Sequence, residues 1–466
     1  MNLSFDQAVS EAVRTCQAQS GFDSVTRACL VRDLEGRVRL VLDLAGGDAL
    51  NVPELEGRLA AALGDYFTAP ILTTASGATD ERRLAQAIID QATAWPRTWM
   101  LDPDPISGAP ITPFASWRVL QRLHSKHAWL SAEPVEPPWS LSMGMPAIVS
   151  FYSFKGGVGR TTLLAAVARL LAASGKRVVL IDLDLEAPGL GAFLEVDTER
   201  GVIDFIIDYL VTGVPDLQRC HGAASALGDA LGARAEVIPA GRMNWAYVEK
   251  LGRLDFSDVG LGTESSVSRA VRALIDAART EFAPDYILID SRAGLHDIGG
   301  LSLHALAHVD VLVARATSQN LVGLEIALQT LGRRKHTEDL RRLLIAHTFA
   351  PRREERETRT PEEEAFLQQV YALFSKWIYL RSNLPDQVEQ RESDDAPHFP
   401  RPITQHADLE RINSISAAPT ALLDGEDFRR LCDRLVELCE PEDAAEDDDP
   451  PATPPVSLPP PEGDAQ

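Results

Sequence analysis

The residues with the clearest chemical potential form one nonamer, Phe-Lys-Gly-Gly-Val-Gly-Arg-Thr-Thr, at residues 154–162. Its glycines, Gly156, Gly157 and Gly159, let successive backbone N–H groups turn inward around an anion. A helix that starts at the end of the loop adds the partial positive charge of its N-terminus. Thr161 is placed to offer a hydroxyl to Mg²⁺. The pattern therefore predicts a loop that binds the phosphates of a nucleotide.

The elements around the nonamer have the order that such a loop requires. Apolar residues at 147–152 predict a strand before it, and residues 161–173 predict a helix that Ser174 and Gly175 end. A second apolar run at 178–183 predicts the next strand. Because the nonamer lies in a β–loop–α–β unit, a turn that only resembles a phosphate-binding loop is the weaker interpretation.

Two later strand ends carry carboxylates. One predicted strand leads into Asp182 and Asp184, and another leads into Asp290, with Gly294 four positions further on. The carboxyl ends of parallel strands share one edge of a sheet, where ligands bind in open α/β folds, so these groups are expected beside the loop. An aspartate after a strand also commonly caps the next element, and this alternative stays open for Asp182.

Together these motifs resemble the MinD/ParA family of deviant Walker-A ATPases, whose signature KGGVGKT carries an extra early lysine. The resemblance implies that Lys155, which matches the early lysine, reaches across a nucleotide-sandwich homodimer to the partner's phosphates. It implies that Asp184 contacts the attacking water and that Asp182 lies near the metal. Residues 186–190 look like the family's mobile first switch, and Gly294 looks like the glycine of its second switch. Asp290 would hold Mg²⁺ through water, and the N–H of Gly294 would sense the γ-phosphate. The residues expected to contact the nucleotide are Gly156, Gly157, Val158, Gly159, Arg160, Thr161, Thr162 and Gly294.

The chain departs from the usual pattern of phosphate-binding loops at two points, and from the family's pattern at one further strand end. Phe154 stands where the first glycine of a phosphate-binding loop belongs, and Arg160 stands where the usual lysine belongs. Arginine keeps the charge, but its planar fork is bulkier, so two accounts stay open: it grips the β- and γ-phosphates, or it allows binding without efficient turnover. The strand at 343–346 continues into His347 rather than into the family's base-reading asparagine. ATP, rather than GTP, is therefore inferred from the loop alone.

Three side chains near the second switch have ordinary structural interpretations. Arg292 is expected to form a local salt bridge, although it could neutralise phosphate charge. His296 and Asp297 are expected to form a capped, solvated turn.

The length and composition of the chain limit the number of domains and the classes of protein to which it can belong. The chain has 466 residues, which is enough for about two or three domains. A net charge of −23 argues against a protein that binds nucleic acid over much of its surface. The five cysteines have no metal-ligand spacing, which fits a reducing compartment. The N-terminus does not resemble a signal peptide, and no apolar run is long enough to span a bilayer, so a cytoplasmic location is expected.

The chain divides by composition into a smaller α/β domain at 1–135, a proline-rich linker at 136–145, an ATPase domain at 146–440 and an acidic, proline-rich tail at 441–466 that is predicted to be disordered. The alternation of strands and helices predicts a doubly wound, mostly parallel sheet for the ATPase domain. No catalytic signature marks the first domain, so its role is interpreted, by elimination, as recognition of a protein partner or coupling to it.

Two sequence features raise the question whether the protein binds DNA or a membrane. Nine arginines and lysines at 333–359 could bind DNA non-specifically, but the acidic residues between them favour a solvated helical face. An apolar stripe at 428–438 could be a membrane helix, but the acidic tail beside it would be repelled by an anionic leaflet. A terminal helix packed on the core is the preferred interpretation.

The favoured function is an ATP-hydrolysing dimeric switch that couples its nucleotide state to a partner protein. The alternative is a nucleotide-binding sensor or scaffold with little turnover, because of Arg160. A bacterial-type tyrosine kinase fits less well, since the last tyrosine is Tyr379 and the tail has none. A reductase of the nitrogenase-iron-protein kind needs paired cysteines after the switches, and none is present.

Overall fold

A computed structural model of the chain describes residues 3–44, 50–95, 117–130, 135–256, 265–334, 340, 342–353, 359–379 and 393–441. The described residues form two separate β-sheets, one of five strands and one of eight. Apart from residue 441, the predicted acidic tail lies outside the described part of the chain.

The first sheet is built by residues before 122. Its strands are β1 (Val25–Arg32), β2 (Val38–Leu44), β3 (Leu72–Thr73), β4 (Thr93–Ala94) and β5 (Trp117–Gln121), in the order β3-β2-β1-β5-β4. Its helices are α1 (Phe5–Gln17), α2 (Val52–Leu63) and α3 (Thr79–Gln91). Side chains that alternate along β1 face opposite ways, so Ala28 and Leu30 pack with α1 and α2 while Cys29 packs with α3. A short helix, α4 (His127–Leu130), follows β5.

The second sheet contains the predicted loop. Its strands are β6 (Ala147–Tyr152), β7 (Val178–Asp182), β8 (Gly222–Ala223), β9 (Ala235–Ile238), β10 (Tyr286–Asp290), β11 (Val309–Ala314), β12 (Leu343–Ala350) and β13 (Arg401–Thr404). They lie in the order β13-β12-β11-β6-β10-β7-β9-β8. Every neighbouring pair is parallel except β8 with β9, which is antiparallel. The predicted mostly parallel α/β sheet is thus confirmed.

Helices cover both faces of this sheet. They are α5 (Arg160–Ala173), α6 (Leu190–Phe193), α7 (Val202–Thr212), α8 (Asp229–Gly232), α9 (Trp245–Leu251), α10 (Ser266–Phe282), α11 (Asp297–Leu301), α12 (Ser318–Arg334), α13 (Pro361–Phe374), α14 (Ala407–Glu410), α15 (Thr420–Leu423) and α16 (Glu426–Leu438). One face packs against α5 and α16, and the other packs against α7, α10, α12 and α13. The central strands are buried on both faces, which is why their sequences read as continuous apolar runs.

Two helices end earlier than the sequence pattern indicates. The apolar spacing of residues 52–66 predicts one helix, but the helix ends at Leu63 and a 3₁₀ turn follows at Gly64–Tyr66. The spacing of residues 80–94 likewise predicts a helix. The helix ends at Gln91 instead, because Thr93–Ala94 pairs with β5, a strand far along the chain.

The terminal apolar stripe belongs to the core, as predicted. Phe428, Leu431, Cys432 and Leu435 of α16 are buried in the cluster that also contains the inner face of α5. Among the described helices, none combines the length and apolar content needed to cross a membrane.

The arginine-rich stretch is described only in part. Arg353 forms a two-pronged ion pair with Glu363, and Arg359 bonds to Glu364 at 3.0 Å. Arg342 donates to the carbonyl oxygen of Leu438 at 3.2 Å. Arg342, Arg353 and Arg359 thus make contacts within the chain, and the interpretation of the stretch as a solvated helical face stays a prediction.

Candidate nucleotide-binding site

The glycine-rich loop runs from the end of β6 to the start of α5. Gly157 and Gly159 have φ angles of +72° and +80°, a backbone region in which an L side chain would be strained. Ser153 closes the start of the loop by donating from Oγ to the carbonyl oxygen of Lys155 at 2.9 Å. Helix α5 begins at Arg160, one residue earlier than predicted. The loop amides therefore lead directly into a helix N-terminus.

Phe154 has a packing partner that explains its place in the loop. A Cβ atom on Gly323 of α12 would lie only 1.9 Å from Cγ of the Phe154 ring. The aromatic side chain is thus accommodated because α12 carries a glycine at the contact. The ring anchors the loop to α12, where the usual glycine of such loops would leave no side-chain contact.

Lys155 lies at the mouth of the cleft, where its ammonium group bonds to Oε1 of Gln319 in α12. The side chain is exposed and is not part of the core. Its predicted action on a second subunit stays a prediction.

Arg160 is buried and is held by a carboxylate on each side. Its Nη2 donates to Oδ2 of Asp184 at 2.8 Å, and its Nε donates to Oδ1 of Asp290. Nη1 also donates to Oγ of Ser153 at 3.3 Å. Burial disfavours the charged guanidinium, but the charges of Asp290 and Asp184 outweigh it, so the pKa of Arg160 is raised. The arginine is therefore held between the carboxylates of Asp184 and Asp290 at the edge of the sheet.

Asp290 and Thr161 form the other half of this cluster. The Thr161 hydroxyl donates to Oδ2 of Asp290 at 2.7 Å. A hydroxyl and a carboxylate are the hard oxygen ligands that Mg²⁺ accepts when nucleotide phosphates complete its shell. Within the described part of the chain, no three His, Cys, Asp or Glu side chains gather into a metal cage of their own. The donor set therefore fits a magnesium ion that arrives with phosphates.

Asp182 is fully buried, and its carboxylate accepts hydrogen bonds from backbone N–H groups. Its Oδ1 accepts from the N–H of Asp184 at 3.1 Å. Its Oδ2 accepts from the N–H groups of Gly189 and Leu190 at 3.2 and 3.1 Å. Burial, together with the nearby charges of Asp290 and Asp184, raises the pKa of this carboxyl. The geometry matches the capping alternative, in which Asp182 closes the loop after β7, and its metal role stays a prediction.

Asp184 is bonded on both oxygens. Oδ2 meets Arg160, and Oδ1 accepts from Nη1 of Arg292 at 2.8 Å. Nη2 of Arg292 reaches Oε2 of Glu186 at 2.9 Å, and Nε2 of His296 lies 2.8 Å from Oε1 of the same carboxylate. Arg292 does form salt bridges, as expected, but they join the two predicted switches. Sequence reasoning missed this link, for which the only signal was an arginine inside the second switch.

Gly294 ties the second switch to the loop. Its N–H donates to the carbonyl oxygen of Ser153 at 3.2 Å, and its own carbonyl oxygen accepts from the hydroxyl of Tyr152 at 3.1 Å. Its φ angle of +74° explains the glycine. The N–H that was expected to sense a γ-phosphate is thus engaged by the loop, and that role stays a prediction.

One open cleft brings most of the predicted residues together. It is lined by Lys155, Gly156, Gly157, Gly159, Arg160, Thr161, Thr162, Asp184, Arg292 and Gly294. The side chain of Val158 points instead into the hydrophobic core, so only its backbone can contribute.

The second switch also contacts the chain that follows the first sheet. Both the backbone N–H and the ammonium group of Lys126 bond to the carboxylate of Asp297, the latter at 2.9 Å. Trp129 of α4 donates from Nε1 to the carbonyl oxygen of His296 at 2.7 Å. Gly300 leaves room for the indole, because a Cβ there would lie 2.8 Å from Nε1. Asp297 was expected in a solvated turn, but the turn is covered by this segment.

The fold and the cleft define a P-loop nucleotide-binding protein of the α/β class. Residues 149–417 match the CobQ/CobB/MinD/ParA nucleotide binding domain, and the chain belongs to that family.

Similar proteins come from septum-site and cell-division systems. The septum site-determining protein MinD of Helicobacter pylori is 28% identical over 177 residues, which cover 38% of this chain and 54% of that protein. The chain thus matches about half the length of this relative. The cell division ATPase MinD of Pyrococcus furiosus is 20% identical with a TM-score of 0.40, covering 63% of this chain and 100% of that one. MinD of Pyrococcus horikoshii, complexed with Mg-ADP, is 20% identical with a TM-score of 0.39, covering 63% and 95%.

Proposed function

We propose that the protein is an ATP-dependent molecular switch that closes as a homodimer around two nucleotides and reports its nucleotide state to a protein partner. The observation that carries this proposal is the convergence of the loop glycines, Thr161 and Asp184 on one cleft, with the buried Asp290 bonded to the Thr161 hydroxyl behind it. These groups come from β6, β7 and β10, which are neighbours in the sheet. Loop amides for phosphates and carboxylates for metal and water are the parts that phosphoryl transfer requires.

Each residue has a defined task in the proposed reaction, which is transfer of the γ-phosphoryl group of ATP to water. Backbone N–H groups of residues 156–161 cradle the β-phosphate. Thr161 and Asp290 would hold Mg²⁺, which would supply charge compensation for the phosphate oxygens. Asp184 orients the attacking water. Lys155 of the second subunit and Arg160 of the same subunit offset charge on the leaving oxygen.

The ion pairs of Arg160 would link the binding of nucleotide to the release of Asp184. Its guanidinium bonds to Asp184 and Asp290, and the bound phosphates would compete with these carboxylates for the same donors. When Arg160 turns toward the phosphates, Asp184 is released to orient water. Binding of the triphosphate and activation of Asp184 are thus two consequences of one side-chain exchange.

The same contacts favour a second candidate, a sensor that binds ATP with little turnover. Both oxygens of Asp184 are bonded to arginines at 2.8 Å, Arg160 on one side and Arg292 on the other. If these bonds persist when nucleotide is bound, the two guanidinium groups offset the charge of Asp184 and occupy an acceptor position on each oxygen, so the carboxylate would orient water less effectively. The protein would then signal by binding and release alone.

We assign coupling to a protein partner to the N-terminal sheet because the chain that leaves this sheet contacts the second switch. After β5, the chain passes through Lys126 and α4, and these contact His296 and Asp297 at the second switch. A movement of the second switch would therefore displace the segment that leaves the N-terminal sheet. A protein bound to that sheet could read or bias the nucleotide state by this route.

The test is formation of ADP from ATP and Mg²⁺ by the full chain, with Asp184→Asn and Arg160→Lys in parallel and ATP binding measured for each. A cycling switch is expected to lose turnover in Asp184→Asn while retaining ATP binding. A sensor is expected to bind ATP with the same negligible turnover in the parent and in Asp184→Asn. Failure of the parent to bind ATP would refute both candidates.

A further inference from the structure

Three cationic side chains line the nucleotide cleft, those of Lys155, Arg160 and Arg292. The first two belong to the phosphate-binding loop, and in the proposed reaction they offset charge on the leaving oxygen. Arg292 belongs instead to the second switch, two residues after Asp290 and two residues before Gly294. It is therefore a third cation of the cleft, with no task in the reaction so far.

Arg292 lies beside the group that is proposed to orient the attacking water. Its Nη1 donates to Oδ1 of Asp184 at 2.8 Å. A water molecule bonded to this carboxylate would lie about 3 Å from it, and the atom that the water attacks would lie about 3–3.5 Å further on. The guanidinium of Arg292 is thus within one side-chain movement of the γ-phosphoryl group of a bound nucleotide.

The contacts that hold Arg292 in its present position can be exchanged for others at low cost. Its second partner, Glu186, is 41% exposed, and exposed ion pairs contribute little to stability. Nε of Arg292 is buried and has no hydrogen-bond partner among the residues that the structure describes. A buried donor without a partner is unfavourable, so the guanidinium is only partly satisfied where it lies. Arg160 differs, because it is buried between Asp184 and Asp290.

We propose that Arg292 is a catalytic residue, which turns from Asp184 and Glu186 to the γ-phosphoryl group and stabilises the transition state in its own subunit. This inference rests on the proposed ATP hydrolysis and adds a residue to it. The N–H donors and the charge of Arg292 would offset negative charge on the γ-phosphate oxygens, as arginines do in other phosphoryl-transfer sites. The same movement would withdraw Nη1 from Oδ1 of Asp184 and so open an acceptor position for water.

The bonds that form and break are those of hydrolysis. The oxygen of the water forms a bond to the γ-phosphorus, and the bond from this phosphorus to the β–γ bridging oxygen breaks with its electron pair leaving on ADP. One hydrogen of the water stays on the inorganic phosphate, and the other is released to solvent as a proton. Arg292 transfers no proton, because a guanidinium stays charged throughout.

The competing account is that Arg292 only links the two switches through Asp184 and Glu186. The two accounts predict opposite effects of removing the side chain. Loss of a catalytic arginine lowers turnover, whereas loss of a structural link frees Asp184 and leaves turnover unchanged or raised.

Aluminium fluoride separates the two accounts by an equilibrium measurement, because with ADP it mimics the γ-phosphoryl group during transfer. We would measure binding of Mg²⁺-ADP with and without aluminium fluoride, and the rate of ADP formation from ATP. The proteins are the full chain, Arg292→Ala and Arg292→Lys, each checked for folding by circular dichroism. Arg253→Ala is the matched control, because Arg253 forms an exposed ion pair with Glu249 and is not among the residues that line the cleft.

Arg292→Ala is expected to bind Mg²⁺-ADP like the parent, to bind the fluoride complex about a hundredfold more weakly and to hydrolyse ATP about a hundredfold more slowly. Arg292→Lys keeps the charge without the planar fork and should lie between the two. Arg253→Ala should match the parent in all three measurements. If Arg292→Ala fails to fold, a selective loss of the fluoride complex in Arg292→Lys still supports the proposal.

Two results would overturn the catalytic role of Arg292 and leave the structural link. One is turnover and fluoride-complex binding in Arg292→Ala, or in Arg292→Lys alone if only that variant folds, that equal or exceed those of the parent. The other is an equal loss of ADP binding with and without aluminium fluoride. A parent that binds nucleotide but does not hydrolyse ATP would also overturn this role, while the sensor candidate would stand. A parent that binds no nucleotide would refute the proposed function, and this inference with it.

Discussion

Arg160 and Asp184 are joined by a bond of 2.8 Å between Nη2 and Oδ2, so the atypical residue of the loop is held by the carboxylate expected to orient water. Both side chains are nearly buried, and Asp290 binds the other side of the guanidinium. A lysine at position 160 would have one compact ammonium group in place of this fork and could not match both carboxylates in the same way. The replacement of lysine by arginine is thus tied to a specific ion-pair arrangement.

The first prediction concerns the stability conferred by this arrangement. Arg160→Gln removes the only charge bonded to both Asp184 and Asp290 in the described contacts and leaves them buried. We expect the free energy of unfolding, measured by urea denaturation without added nucleotide, to fall by about 3–5 kcal/mol. Arg253→Gln, which removes an exposed ion pair with Glu249, should lower it by less than about 1 kcal/mol. Equal stability of Arg160→Gln and the parent would show that the ion pairs contribute no net stability.

The second prediction tests whether Lys155 acts on the partner subunit. Its side chain is exposed, so Lys155→Ala should fold normally and lose ATP turnover. Mixed with Asp184→Asn, it forms heterodimers with one complete site if the lysine acts across the interface. Random mixing should then restore roughly a quarter of the parent's activity. Lys176→Ala, another exposed lysine change, should retain full activity. A mixture as inactive as its two components would place Lys155 in its own subunit's site.

The third prediction concerns the contact between Lys126 and Asp297. This bond helps to hold the second switch where the N–H of Gly294 is engaged by Ser153. If ATP draws Gly294 away from Ser153, Lys126→Ala should ease that movement and tighten ATP binding. The gain cannot exceed the lost contact, so we expect at most about a fivefold change for an ion pair worth ~1 kcal/mol. Calorimetric titration measures it, and weaker binding would contradict the account.

The fourth prediction is a pH dependence that arises from His347. Its imidazole is buried against the Phe366 ring, and burial lowers its pKa to about 4. The unfolded chain, with an ordinary histidine pKa near ~6.5, binds more protons below neutrality, so stability is lost as the pH falls from about 6.5 toward 4. Between pH 7 and pH 5 this amounts to about 2 kcal/mol.

His347→Gln has no proton to bind at this position and should lose correspondingly less stability over the same pH interval. Urea denaturation at both pH values gives the comparison. An identical pH dependence in the variant and the parent would show that His347 is not the group responsible.

Local patterns were sufficient to predict the parts of the site that depend on one strand end or one loop. The glycines of the loop, Asp184 and Asp290 could be located because buried parallel strands read as apolar runs and their carboxyl ends meet at one edge. The capping geometry of Asp182 was also foreseen as an alternative.

What the sequence did not reveal are contacts between residues far apart in the chain. Arg292 meets Asp184 only because β10 lies beside β7, and Lys126 meets Asp297 across a separation of 171 residues. The ring of Phe349 lies beside Gly159 of the loop, at a point where β12 has one residue more than β13, which no periodicity of the sequence encodes. Such contacts depend on tertiary packing, so composition and spacing carry little signal for them.

The most direct test of the central claim is titration of the full chain with ATP and Mg²⁺, beside Thr161→Val and the exposed control Thr280→Val. Thr161 donates to Asp290 and is expected to hold Mg²⁺, whereas Thr280 lies in α10, away from the cleft. We expect the parent and Thr280→Val to bind one ATP per subunit, and Thr161→Val to bind it about tenfold or more weakly. Failure of the parent to bind ATP, or equal affinity of all three proteins, would contradict the account.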